Sequence, residues 1–246
     1  MQAILSVSEP PEYTCITVLT DKEETGSDGN TGLNSSYLKY FIEDLARLEG
    51  YEGRDVLRNS KCLSADVNAA FDPTWSSAFE KNNASFINEG VVVTKFTGSH
   101  GKSGTSDASA EYVSFVKNLL EENGVLWQSG ELGKVDGGGG GTVAMYIANL
   151  DVDVIDVGVP VLSMHAPYEI VAKIDVYMAY KPLLPSLPNK KRKRKPTPGV
   201  FGFFYINLYL FASLVKGGKK LYRRGGNLRP QAHTYPTSKT YDCRSP

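Results

Sequence analysis

Three stretches of the chain, Cys15–Leu19, Val91–Val93 and Val152–Val161, are largely apolar, rich in β-branched residues and bounded by turn formers. Runs of this kind predict strands buried on both faces, as in a mostly parallel sheet. Between them the period changes. Leu33–Leu48 places Leu38, Ile42, Leu45 and Leu48 at spacings of three and four, and Ala110–Glu122 does the same with Val113, Phe115, Val116, Leu119 and Leu120. Both patterns predict helices with one apolar face. A further helix is expected from Thr142 to about Leu150, and another from Tyr168 to Tyr180 with Pro167 at its start. Strand and helix patterns that alternate predict an α/β fold, with a mixed, mostly parallel sheet flanked by helices.

The chain has 246 residues and is 41% apolar, enough for a sizeable core. Its zero net charge hides an asymmetry: residues 1–181 hold 13 Lys+Arg and 26 Asp+Glu, residues 182–246 hold 14 and 1. That shift predicts a boundary near Lys181, with an acidic body (1–181) and a basic tail (182–246) of unrelated character. In the tail, Pro182, Pro185 and Pro188 precede the basic run Lys190–Lys195, and the apolar stretch Val200–Val215 contains Asn207. The stretch falls short of the roughly 20 residues that cross a bilayer. The acidic body argues against a nucleic-acid partner for the basic run. A disordered segment foreign to the body is the favoured reading of 182–246, and its removal is expected to leave every site residue in place. Cys15, Cys62 and Cys243 are too scattered for a disulfide framework. The first residues lack a basic signal region, so the body reads as cytoplasmic.

In open α/β sheets, chemistry gathers beyond the carboxyl ends of strands. Glu23 and Glu24 follow the first apolar run. Adjacent side chains leave the backbone in different directions, so one carboxylate can hold a metal while the other moves the proton of an attacking water. Alone, the pair reads as an exposed turn. Asp66 ends the short segment that starts at Cys62, and by itself reads as a helix cap. His165, one of three histidines, emerges from the long run ending at Val161. Together these residues supply the oxygen and nitrogen donors that zinc sites use. The run Gly137–Gly141 would let a substrate backbone approach at Gly138, Gly139 and Gly140, or form a flexible loop. A phosphate loop at Gly101-Lys102-Ser103 fails, because Phe96 stands where the pattern needs glycine.

Five ordered motifs then carry a family likeness: 21–32 (DKEETGSDGNTG), 64–67 (SADV), 101–111 (GKSGTSDASAE), 133–144 (GKVDGGGGGTVA) and 162–167 (LSMHAP). From about Gln2 to Lys181 the chain resembles the M18 aminopeptidases, cytosolic dinuclear zinc exopeptidases. The resemblance implies a zinc-exopeptidase α/β/α sandwich, peptide substrates, Glu23 as general base, Glu24 and His165 as ligands of one Zn²⁺ and Asp66 as a ligand of the other. Co²⁺ or Mn²⁺ would suit the same donors. The family's remaining ligands, a His-x-Asp histidine and a bridging aspartate, lie before the matched region, as does its dimerisation domain. The expectation is therefore a catalytic domain incomplete at its N-terminal side, weakened zinc-dependent aminopeptidase activity, and no homo-oligomer formed through that domain. The alternative is an inactive fragment of the fold whose basic tail serves as an interaction or membrane segment.

Overall fold

A computed structural model describes residues 2–5, 13–100, 102–134, 137–181 and 203–207, the last as backbone only. The elements are α1 (Gln2–Leu5), β1 (Cys15–Val18), α2 (Tyr37–Leu48), α3 (Gly53–Arg58), β2 (Lys61–Ala65), β3 (Val67–Ala69), β4 (Val91–Thr94), β5 (Phe96–Ser99), β6 (Ser103–Asp107), α4 (Ala110–Glu122), β7 (Trp127–Ser129), β8 (Gly139–Gly140), α5 (Ala144–Ala148), β9 (Asp153–Leu162), β10 (Ile170–Val171), α6 (Lys173–Tyr180) and β11 (Phe203–Asn207). The main sheet runs β1-β11-β2-β9-β4-β7, with β3 and β10 also on β9. β1, β11, β2 and β9 are parallel, and β4 runs against β9. The mixed, mostly parallel sheet expected from the apolar runs is therefore present.

β9 is buried from Val154 to Val161 because both of its edges are paired and both of its faces are covered. On one face Val154 and Cys62 meet Ile42 and Ala46 of α2, Leu57 of α3 and Ile147 of α5. On the other, Ile155 and Val157 join Leu63, Val91 and Val93 against Tyr112, Val116 and Leu120 of α4. Alternation along the strand thus sends neighbours into two helical layers. Each fully buried aliphatic side chain contributes roughly 1.5–3 kcal/mol.

Several boundaries differ from the sequence expectation. α4 has the bounds read from its period, but α2 begins at Tyr37 instead of Leu33. Residues 32–36 are taken up by turns, with the Asn34 N–H donating to the Ser27 carbonyl and Ser35 to Gly32. The segment expected to be helical from Tyr168 starts instead with β10, whose β-branched Ile170 and Val171 fold back antiparallel onto Leu162 and Val161. Only from Lys173 does it become helical. The hydrophobic pattern also missed α3 and a second sheet of order β6-β5-β8.

In the tail, β11 enters the main sheet between β1 and β2. The tail prolines, the Lys190–Lys195 run, most of Val200–Val215 and Cys243 lie outside the described residues. Among the described residues no helix is long and apolar enough to cross a membrane.

Candidate metal centre

The four residues singled out for chemistry stand just beyond the carboxyl ends of three parallel strands, β1, β2 and β9. After β1 the chain turns through Lys22 (φ 61°), a single 3-10 turn at Glu23–Thr25, and Gly26 (φ 107°). The turn is closed by Gly26 N–H on the Glu23 carbonyl at 2.9 Å and Ser27 N–H on Lys22 at 2.9 Å, so both glutamates ride on one compact unit. Asp66 occupies the link between β2 and β3, not a helix cap, and its Oδ1 accepts the Val67 N–H at 2.6 Å. Past β9, Ser163 (φ 59°) and His165 (φ 64°) adopt left-handed backbone, which non-glycine residues rarely do outside constrained sites. The His165 N–H donates to Glu169 Oε1 at 2.8 Å, fixing that turn.

His165 Nε2 lies 3.2 Å from Glu24 Oε2, with the two side chains 68% and 61% exposed. Two ligands of one tetrahedral zinc, each about 2.0–2.2 Å from it, stand about 3.4 Å apart, so this pair fits one ion. Among the described residues no group of three or more His, Cys, Asp or Glu side chains converges to hold a metal. The pair therefore fits zinc as two donors out of four.

The neighbouring carboxylates are tuned by their surroundings. Burial pushes Glu23 up to about 7, helped by the negative charges of Asp66 and Glu24 and opposed by His165. Burial likewise raises Asp66 to about 6; the Val67 N–H and His165 act the other way, while Glu24 and Glu169 add to the rise. Glu23, Glu24, Asp66 and His165 thus share one electrostatic field, within which Glu24 and His165 form an ion pair.

Beneath Asp66 lies a polar patch that the sequence reading missed. Asp156, on β9, stands in register with Ser64 on β2 and Thr94 on β4. Its Oδ2 accepts the Thr142 hydroxyl at 3.1 Å. Asp156 Oδ1, Ser64 Oγ and Thr97 Oγ1 have no aligned hydrogen-bond partner. A small cavity is lined by Asp66, Asn68, Thr94, Thr97, Thr142 and Asp156. Burial lifts Asp156 to about 7; the Ser64 and Thr142 hydroxyls lower it and the Asp66 charge raises it. Of the two carboxylates in the run 152–161, Asp153 lies at its start and Asp156 lies in its middle, and that mid-run acid was the available signal.

The glycine run is used differently from a floppy loop. Gly139 and Gly140 form β8, paired with Ser99 and Gly98 of β5. Gly139 has φ 96°, and a Cβ there would fall 2.1 Å from the Gly98 carbonyl oxygen, so only glycine fits. Gly138 donates its N–H to Lys134 at 2.7 Å and accepts from His100 at 3.3 Å. Lys95 is ion-paired with Asp107, as befits a surface residue. Lys102 leads into strand β6, where a phosphate loop would open a helix.

A family model described as aminopeptidase I zinc metalloprotease (M18) matches residues 1–184. The probable M18 family aminopeptidase 1 of Clostridium acetobutylicum is 48% identical over 168 residues, 67% of this chain and 36% of that protein. Its counterpart in Borreliella burgdorferi is 45% identical over 186 residues, 73% of this chain and 41% of that protein. The crystal structure of aminopeptidase I from Clostridium acetobutylicum superposes with a TM-score of 0.70 at 44% identity, covering 76% of this chain and 41% of that one. An M18 aminopeptidase from Thermotoga maritima gives 0.64 at 41% identity, over 67% and 38%. The chain thus spans about two-fifths of the length of the relatives it matches.

Proposed function

The chain belongs to the M18 aminopeptidase family, and from that premise we propose that it carries part of the zinc centre of an enzyme that releases N-terminal amino acids from peptides. The observation that carries this reading is the Glu24–His165 contact at 3.2 Å, beside Glu23 and Asp66, at the carboxyl ends of parallel strands. Glu24 and His165 would hold one zinc and Asp66 a second, with cobalt or manganese accepted by the same donors. When bound, the ions polarise a scissile carbonyl and acidify water.

Glu23 is the general base in this reading. It belongs to the same turn as Glu24 and in this reading holds no metal, so its oxygens take a proton from water and pass it to the leaving amine. In the metal-free chain, burial and the Asp66 and Glu24 charges raise this carboxylate to about 7, and raised basicity suits a proton acceptor. Gly138–Gly140 are retained as a substrate-facing candidate on the sequence pattern alone, since the close packing at Gly138 and Gly139 is against the chain's own backbone. With three protein donors, Glu24, His165 and Asp66, for two ions, these residues are expected to bind zinc weakly and support slow hydrolysis, in the cytoplasm.

Zinc uptake by the full chain, measured by competition with a chromophoric chelator, tests the proposal. His165→Ala should reduce uptake at least about tenfold, consistent with loss of one of two donors. Hydrolysis of aminoacyl p-nitroanilides with added zinc or cobalt should be lost in Glu23→Gln. Uptake unchanged by His165→Ala overturns the ligand assignment, and turnover unchanged by Glu23→Gln overturns the base. The rival reading, an inactive fragment of the fold, draws on the lack of any three-donor cluster among the described residues. It stands if the parent takes up no zinc.

A further inference from the structure

Glu23 and Glu24 hang from β1, and among the described residues β1 has one hydrogen-bonded neighbour in the sheet, β11. Asp66 and His165 hang from β2 and β9, which pair directly with each other. Among the described residues, the sheet hydrogen bonds that connect β1 to β2 and β9 therefore pass through residues 203–207. We propose that Phe203–Asn207 is the positioning element of the candidate metal centre, a strand supplied by the tail that sets the distance between Glu23–Glu24 and Asp66–His165.

The geometry behind this is simple. Val18 pairs with Ile206, and Ile206 with Ser64, so β11 levels the end of β1 with the end of β2. Adjacent strands lie about 4.8 Å apart, which puts β1 about 10 Å from β2 with β11 between them. Without that strand, either the facing edges of β1 and β2 are left with unpaired N–H and C=O groups, or β1 closes on β2 and carries the glutamate turn about 5 Å sideways. The second outcome breaks the 3.2 Å contact between Glu24 and His165, and the first leaves β1 without the sheet hydrogen bonds, among the described residues, that hold it at that distance. Ile16 and Val18 also pack toward α2 and α5, but apolar contacts hold β1 in its layer without fixing its register. The tail is then not dispensable to the site, contrary to what its composition suggests.

Backbone hydrogen exchange on the full chain tests the inference directly. Residues 203–207 and 15–18 should exchange in step, about a hundredfold or more slower than an unstructured peptide. Free-chain exchange at 203–207 with protection retained at 61–65 overturns it. Tyr205→Pro supplies the second arm, because proline removes an N–H from the middle of the strand. In that variant, protection at 15–18 should fall at least about tenfold while 91–94 keep theirs. Unchanged protection at 15–18 also overturns the inference. If the variant unfolds throughout, exchange of the unaltered chain decides alone. Zinc uptake should fall with β1 protection; this arm rests on the zinc reading above, whereas the exchange arms do not, so the two failures are distinguishable.

Discussion

Among the described residues two carboxylates, Asp175 and Asp156, are buried, and they are treated in opposite ways. Asp175, on α6, is fully buried, with Oδ2 accepting the Asn88 N–H at 2.6 Å and Oδ1 the Gly90 N–H at 2.8 Å. It ties the left-handed turn at Asn88 and Gly90 to the helix and so delivers β4 into the sheet. Asp156 is 7% exposed and has one hydroxyl on Oδ2, with no aligned partner on Oδ1. Burial alone does not separate a structural acid from one near chemistry. Satisfaction does: the first has its hydrogen bonds made by backbone, and the second keeps capacity to spare beside the site.

That contrast can be broken by removing each group. Asp175→Ala leaves two N–H groups at the α6 joint without acceptors, and should cost about 3–5 kcal/mol in urea unfolding. A cost under about 1 kcal/mol would mean the joint is satisfied some other way. Asp156→Asn should act in the opposite direction. The folded chain keeps the Asp156 proton between the ordinary carboxylate value of 3.8 and about 7, whereas the unfolded chain has released it. Stability from this group is therefore complete below the ordinary value and is lost as pH rises through about 7. Asparagine cannot ionise, so the variant should match the parent near pH 4 and exceed it near pH 8 by about 2 kcal/mol, with a ceiling of about 4. Unfolding curves that stay parallel across that range would show that Asp156 does not titrate in this window.

The same contrast explains what was legible in the sequence. The β-branched runs named β1, β4 and β9, and the period of Ala110–Glu122 named α4 to the residue; β4, β9 and α4 bury regular faces, whereas β1 is only half-buried, short of the two covered faces its composition predicts. That Glu23, Glu24, Asp66 and His165 lie at one end of the sheet was readable, because each follows an apolar run that forms a strand; their chemical roles rested on the family likeness. The onset of α2 was not readable: Leu33 fits the helical period and is buried, but its neighbours make turn hydrogen bonds whose partners lie at Ser27 and Gly32. Nor was β10, since Ile170 and Val171 suit a helix or a strand until the end of β9 offers them an edge. Asp156 escaped because two acids, Asp153 and Asp156, in a run dominated by β-branched residues leave its strand character unchanged. β11 escaped because a basic, proline-containing context hides a five-residue strand that takes its meaning from the edges of β1 and β2.

The smallest expected effect on folding belongs to the residues placed at the centre of function. Glu24 and His165 touch at 3.2 Å, but both are mostly exposed. Exposed pairs of this kind contribute about 0–1 kcal/mol, because solvent screens the charges and ordering two side chains costs entropy. Replacing both with alanine should therefore change metal-free stability by no more than about 0.5 kcal/mol. Zinc separates the variants. A ligand that binds the folded state alone at 100 times its Kd stabilises it by about 2.7 kcal/mol, so the parent melt should rise with zinc and the double variant's should not. If the double variant is destabilised without metal, the pair holds the fold and the separation between Asp175-type and site-type acids fails. If it keeps the full zinc shift, the ion is bound by other donors.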